Sequence, residues 1–540
     1  MSELQMPLTT RTKLKRERCA DIFVMNCSSL SVKKGSRSMV KRKVKIACMV
    51  AATLALFGIV GEHGPVLAKK HKSKNDFIRA FWVQAFEDGL KTPEQIDQLI
   101  EDVKKAHMNT IIAQVSRRHD AYYHSDVLPF TEDPDVPEGF DPLGYLLEKG
   151  KEEQIEIHAW VVVGPMWHSV YGGEPQDPNH IWNKYGPNAP ADETWATEDF
   201  HGTTPYWQPY LDLAHPGARD HVVNVVTDLV KNYDVDGVHL DYIRYPEDNN
   251  GYNPTALARF HEETGRSDRP QPTDEQWIKW KTDQVDSLVH RVYVEMMSEN
   301  MDVDLTAAVL SWGFDDPRTT DWWDMDPVQR AHQNWKKWVQ EGYLDYAYVM
   351  NYDEDADPRR AERFDQWIEW QKDLPRTRGL LIGPALYMNQ TADSIHQIHR
   401  ALAPSPAGNT VEGVSLYVYN VWSNDGLPRE ELIDSLSTPT EHNDGNPPFT
   451  DDVESHAGDW KKAAHGHLFG TLEGQASNEE IIVRRGKNGQ VIAELVTDAN
   501  GHFVATDLQP GHYIVQVKGK NEKHQVNIQK QAVTSVRIRR

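Results

Sequence analysis

Cysteine is nearly absent from this 540-residue chain: there are three, Cys19, Cys27 and Cys48, and all precede residue 68. The remainder therefore has no thiol for a disulfide framework, a thiolate metal site or a cysteine nucleophile. Positive charge is also scarce. Lys and Arg number 58 against 81 Asp and Glu, a formal net charge of −23, and the first 68 residues alone carry +8, which leaves about −31 for the rest. Such a body repels nucleic-acid backbones, so no nucleic-acid partner is expected. Three signatures are missing as well. No G-x-G-x-x-G turn follows the first strand-like run, where the sequence reads AFEDGLKTPEQ, and there is neither an H-E-x-x-H helix nor a G-x-S-x-G elbow. Dinucleotide binding, zincin chemistry and serine esterase chemistry each lose their main sequence support.

Long apolar runs are absent too; the longest, Ile46 to Val60, is short for a membrane span. Lys41, Arg42, Lys43 and Lys45 precede it and Val66-Leu67-Ala68 follows, which is the layout of a secretory signal peptide. Residues 1–68 therefore read as a basic leader with its apolar core at 46–60. Cleavage after Ala68 and export to the periplasm, envelope or extracellular space are expected, with no membrane span left after cleavage. Initiation at Met39 would give a more ordinary signal, and an uncleaved anchor is the alternative.

From Phe77 onward, Val/Ile-rich runs alternate with amphipathic helical patterns, which predicts βαβ units and a parallel sheet. Eight strands are expected: 78–84, 110–115, 155–163, 237–242, 305–312, 344–351, 380–387 and 414–419. Between the third and fourth, Val222, Val225, Val226, Leu229 and Val230 recur at helical spacing after Pro216. Eight such units over residues 76–435 have the rhythm of a (β/α)8 TIM barrel of the α/β class, with an open doubly wound sheet as runner-up. Residues 164–210 form the longest excursion. They hold Trp167, Trp182, Trp195, Tyr206 and Trp207, and predict an aromatic binding wall. Residues 436–465, rich in Pro, Gly and Asp, read as a linker. Residues 466–540, with short alternating runs at 481–485, 491–497, 512–517 and 533–538, predict a small all-β sandwich.

The most telling stretch is Tyr233 to Pro246, YDVDGVHLDYIRYP. His239 and Asp241 are two apart and leave the pleat on one side, at the end of a parallel strand where α/β enzymes keep their chemistry. A capping aspartate and a satisfied core histidine are the alternative reading. The other strand ends deliver Gln84, Glu87, Gln114, Asp120, Tyr122, His158, Trp160, Arg244, Tyr245, Trp312, Asp315, Asn351, Tyr352, Asp353, Glu354 and Tyr387, with almost no lysine. Carboxylates, amides and aromatics suit a sugar, which offers hydroxyls on its rim and an apolar C–H face, and whose cleavage needs one protonated and one ionised carboxyl group. Asp241 is the first catalytic candidate, with Asp353 or Glu354 as its partner and Glu87 and Asp315 behind them. Gln114, Asp120, Tyr122, His158, Trp160, His239, Arg244, Tyr245, Trp312, Asn351, Tyr352 and Tyr387 are the substrate-binding candidates. A metal cluster of Asp236, His239 and Asp241, serving a deacetylase, has the weakness that Asp236 and Asp241 face opposite sides of the strand; no metal or other cofactor is expected.

Six ordered segments, RAFWVQ (79–84), QVSRRHDAYYHSDVLPFT (114–131), FDPLGYLLEKG (140–150), EIHAWVVVG (156–164), LDLAHPGARDHV (211–222) and DVDGVHLDYIRYP (234–246), resemble the glycosyl hydrolase-like 10 family of bacterial barrels. The resemblance implies glycoside hydrolysis of an envelope or extracellular polysaccharide, with peptidoglycan glycan strands the substrate most often linked to the family. By analogy with related barrel clans it makes Asp241 the nucleophile and His239 a sugar-contacting neighbour. Two positions depart from the family pattern: Ser116 stands where arginine is usual and His119 where glycine is usual. The C-terminal segment, with TDANGHF (497–503) and LQPGHYIVQV (508–517), resembles a carboxypeptidase regulatory-like module. A non-catalytic glycan-binding scaffold and a metal-dependent polysaccharide deacetylase are the alternative functions.

Overall fold

Prolines open the helices of this chain and β-branched runs make its strands. Pro93, Pro142, Pro216, Pro254 and Pro358 each stand in a first turn, where a missing N–H costs nothing. Thr92, Asp141, His215, Asn253 and Asp357 cap those helices with side-chain acceptors. The computed structural model describes residues 77–167, 173–204, 208–454, 458–474, 477–486 and 489–539. The leader and its signal segment lie outside the described residues, as do His168, Tyr206 and Trp207.

Between these helices run β1 (Ile78–Val83), β2 (Thr110–Ser116), β3 (Glu156–Val162), β4 (Gly237–Asp241), β5 (Asp304–Leu310), β6 (Tyr346–Asn351), β7 (Gly379–Pro384) and β8 (Gly413–Leu416). They pair in sequence order, all parallel, and β8 returns to β1, so the sheet closes into a barrel. The open doubly wound alternative is excluded by that closure.

Register sorts the side chains. Gln114 pairs with Trp160, Trp160 with His239, and His239 with Thr306, so these share the inner face. The alternate residues, among them Phe81, Val83, Ile111, Ile157, Val238, Leu240, Val309 and Val349, pack outward in the apolar core. Barrel interiors are usually filled by branched aliphatics. Here the filling is aromatic and imidazole: the Trp82 ring lies 4.9 Å from Trp160 and 4.5 Å from His239, and Tyr348 lies 5.0 Å from His239.

The segment read as a linker packs against the barrel. Trp460 donates its indole N–H to Asp345 (2.6 Å) and Lys461 pairs with the same carboxylate (3.0 Å), at the N-terminal ends of β5 and β6. Beyond it come β9 (Gly466–Leu472), β10 (Glu480–Arg485), β11 (Val491–Val496), β12 (His502–Leu508), β13 (Gly511–Val517), β14 (His524–Ile528) and β15 (Val533–Ile538). They form two sheets, β11-β10-β13-β14 and β12-β9-β15, around Leu468, Ile481, Val483, Phe503, Val515 and Ile528. Sequence periodicity had indicated four of these seven; β9, β12 and β14 are the additions. No helix among the described residues is long and apolar enough to cross a membrane.

Candidate active site

Asp241 ends β4 with its side chain on the inner face, 5 % exposed. Burial pushes its carboxyl up to about 6, against the opposing pull of Arg244, the Tyr242 N–H and the Trp160 indole. Tyr242 N–H donates to Oδ1 at 2.7 Å, and Arg244 Nη1 stands 3.8 Å from the same oxygen. The Trp160 indole is near enough to favour the ionised form, but its N–H makes no hydrogen bond. Tyr242 holds φ at +54°, a left-handed conformation that costs a bulky residue of order 1 kcal/mol or more and is found disproportionately at functional sites. Tyr352 feels the Asp241 charge and stacks 5.0 Å from Tyr417, which also neighbours Trp82 (5.7 Å), Tyr387 (5.9 Å) and Trp160 (6.4 Å). Asp241, Trp160, Arg244, Tyr352 and Tyr387 thus gather at one mouth, with Trp312 5.7 Å from the Arg244 guanidinium.

An acid whose folded pKa is raised destabilises the fold once it must ionise. The cost is absent at low pH and develops as pH rises from about 4 towards about 6. Asp241→Asn is therefore expected to raise stability above pH 6 by something of the order of 2–3 kcal/mol and to leave it unchanged near pH 4. Denaturant midpoints at the two pH values check this.

Other candidates serve the frame. Asp353 receives Arg363 through both carboxylate oxygens (2.8 and 3.1 Å from Nε). It follows Tyr352, so it points to the helix layer rather than to Asp241. Glu354 is half-exposed, 3.9 Å from Arg360, and Asp315 is exposed. Neither Asp353 nor Glu354 is among the groups that shift Asp241. Asn351, fully buried, shares the outward side with Asp353. Asp120 accepts from Arg117 (3.1 Å) and Thr131 (2.8 Å), while Tyr122 donates to Asp133 (2.7 Å), which also holds Lys91 and Arg117. Gln114 uses its carbonyl to cap the Ala85 N–H (2.9 Å). Tyr245 is fully buried and donates to Asp212 (2.9 Å).

The two axial histidines sit too deep for sugar contact. His158 is 1 % exposed and His239 0 %. His239 Nδ1 lies 2.7 Å from Thr306 Oγ1, and Trp82 and Tyr348 cover its ring, so the expectation of a sugar-contacting neighbour gives way to a packed core residue. The metal alternative does not assemble either. Asp236 precedes β4 and accepts the Ile157 N–H (2.8 Å) at the far end of the strand from Asp241. Among the described residues no three His, Cys, Asp or Glu side chains are grouped to hold an ion.

The expected aromatic wall is largely internal packing. Trp195 stacks on Tyr185 at 3.7 Å, Trp182 is 3 % exposed, and Trp167 covers Arg118 at 4.7 Å. His119 explains its own departure from the family glycine: φ is +62°, the conformation glycine adopts freely. The side chain offsets the strain by donating from Nε2 to Val163 O (3.1 Å) and accepting from His221 Nε2 at Nδ1 (3.1 Å).

One carboxylate escaped the sequence reading. Glu247 lies six residues past Asp241, half-buried and pushed up by burial, with Arg330 opposing. Asp241 and Glu247 both act on the buried Tyr210 phenol, although neither is among the groups that shift the other. A second acid close behind the strand-end aspartate was the available signal.

The sequence pattern of the glycosyl hydrolase-like 10 family matches residues 77–398, more than half of the chain. The chain belongs to that family. Among curated relatives, glycosyl hydrolase YngK of Bacillus subtilis (strain 168) is 27 % identical over 341 residues, 57 % of this chain and 61 % of the relative. Glycosyl hydrolase DigH of Escherichia coli (strain K12) is 23 % identical over 303 residues, 54 % of this chain and 65 % of the relative. The chain thus spans a little over three fifths of the length of these relatives. Among solved structures, the glycoside hydrolase domain of PgaB (BpsB) from Bordetella bronchiseptica is 16 % identical and covers 66 % of this chain and 98 % of its own, with a TM-score of 0.44. The catalytic domain of a β-amylase from Paenibacillus polymyxa is 12 % identical, covers 71 % and 99 %, and has a TM-score of 0.45.

Proposed function

We propose that the chain is an exported glycoside hydrolase acting on an envelope or extracellular polysaccharide, with peptidoglycan glycan strands the leading substrate. The carrying observation is Asp241: a carboxyl at the C-terminal end of β4, pushed up to about 6, with tyrosines and tryptophans around it. Family membership and the names of YngK and DigH support the same reading.

A carboxyl that holds its proton near neutrality suits acid/base work better than nucleophilic attack, which needs the ionised form. Asp241 is therefore assigned to protonate the leaving glycosidic oxygen. Glu247 is assigned as the ionised partner, in preference to Asp353, which Arg363 holds, and to Glu354, which faces solvent. The test is the pH dependence of kcat/KM on peptide-free glycan strands. Activity should fall as pH rises through the Asp241 pKa and also fall as pH drops through that of Glu247. Glu247→Gln should lower kcat and erase the acid limb, and a profile flat from pH 4 to 8 would contradict both assignments.

A further inference from the structure

Arg244 is a buried cation whose Nη1 has no hydrogen-bond acceptor. The residue is 5 % exposed, and its nearest anion, Asp241 Oδ1, is 3.8 Å away, beyond hydrogen-bond reach. Its guanidinium lies 4.2 Å over Tyr242 and 5.7 Å from Trp312. An unmet donor on a buried charged group calls for an explanation, and at a strand end beside Asp241 a ligand would supply one.

Stacking of arginine on aromatic rings recurs around the barrel mouth. Arg118 stacks on Phe86 (4.9 Å) and Trp167 (4.7 Å), and Arg330, whose Nη1 donates to Asp326 (3.3 Å), lies 5.7 Å over Trp312. These stacked guanidinium groups belong to a body of about −31 outside the leader. Stacking covers the faces of a guanidinium and leaves its edge for an in-plane partner, and a carboxylate is the partner that edge fits.

We infer that Arg244 reads a carboxylate carried by the sugar next to the scissile bond, so that the preferred substrate is an acidic glycan. The inference rests on the glycosidase reading above and adds the residue that selects. It also couples selection to chemistry. Arg244 is the charge that opposes the proton on Asp241. A substrate carboxylate that engages Arg244 weakens that opposition, and Asp241 keeps its proton when the acidic sugar is in place.

The experiment compares peptide-free peptidoglycan strands, whose muramic acid carboxylates are free, with the same strands after those carboxyls are reduced to alcohols. Binding is measured on the full chain carrying Asp241→Asn, and turnover on the wild type, Arg244→Met and Arg244→Lys. Reduction should weaken binding about 10- to 100-fold, the scale of a charge-assisted hydrogen bond, and lower wild-type kcat/KM alike. Arg244→Met should lose a similar factor on the carboxylated strands and less than about threefold on the reduced ones, with Arg244→Lys in between. Equal binding of both strand forms would overturn the inference, and this comparison leaves Arg244 itself unaltered. Equal loss on both forms in Arg244→Met would overturn it too, since a merely structural arginine behaves so. Selective binding of carboxylated strands without turnover of either form would remove the glycosidase reading and leave Arg244 as the carboxylate reader.

Discussion

Asp241→Asn should slow glycan hydrolysis by about 10²- to 10⁴-fold, the range for loss of a positioned acid or base, while strand binding changes little. The substitution is nearly isosteric, and the amide oxygen can still accept the Tyr242 N–H that Asp241 accepts at 2.7 Å. What disappears is a transferable proton in a buried site. Initial rates of reducing-end formation against strand concentration separate kcat from KM, and the loss belongs in kcat. Two controls locate the effect. Glu354→Gln, at a half-exposed side chain, should cost less than about threefold in rate, within what a surface change away from the chemistry produces. Asp353→Asn should lower stability by breaking the Arg363 pair and leave the pH profile in place. A loss below tenfold in Asp241→Asn would move the chemistry to another carboxylate.

The second large effect lies far from the mouth. Asp498, in the loop before β12, accepts Arg219 (3.3 Å) and stands 3.7 Å from Arg291. Arg219 is 0 % exposed and projects from the barrel helix Pro216–Asn232. Burial pushes the Asp498 carboxyl up, but the two arginines outweigh burial and hold it below its ordinary value. Asp498→Ala removes one anion from two buried guanidinium groups and should cost about 3 kcal/mol, the low end for breaking a buried pair by removing one partner, because Arg291 keeps Glu295 (2.5 Å) and Asp220 (2.8 Å). Arg219 keeps bonds to Leu213 O, Gln284 O and Ser287, which favours the lower end. Urea midpoints measure the cost, and the double change Asp498→Leu with Arg219→Met should recover most of it. Because the folded pKa is depressed, the clamp's contribution is present at neutral pH and is lost as pH falls through that value. A cost under about 1 kcal/mol, within the range of a surface pair, would mean that the sandwich is only loosely attached.

The barrel was legible because its strands are β-branched runs bounded by prolines and capping residues, signals that do not depend on tertiary contacts. Alternation also put His239 and Asp241 correctly on one face. It did not give their depth. His239 lies one layer below, where Thr306 and Trp82 are its neighbours. The acid partner was illegible for a related reason. Past the end of β6 a single residue step separates Tyr352, at the mouth, from Asp353, in the helix layer. Glu247 sits in the loop that follows β4, and no periodicity encodes where such a loop returns. Strands β9, β12 and β14 were missed because their polar and glycine positions dilute the alternation that marked the other four.

Cleavage of glycan chains by this barrel is the proposal on which the other expectations depend. The most direct measurement is mass spectrometry of peptide-free peptidoglycan strands after incubation with the purified wild-type chain. Shorter strands with new reducing ends and no released acetate are expected. Intact strands retained by the protein would contradict the proposal and make the barrel a binding scaffold, and acetate without new ends would make it a deacetylase.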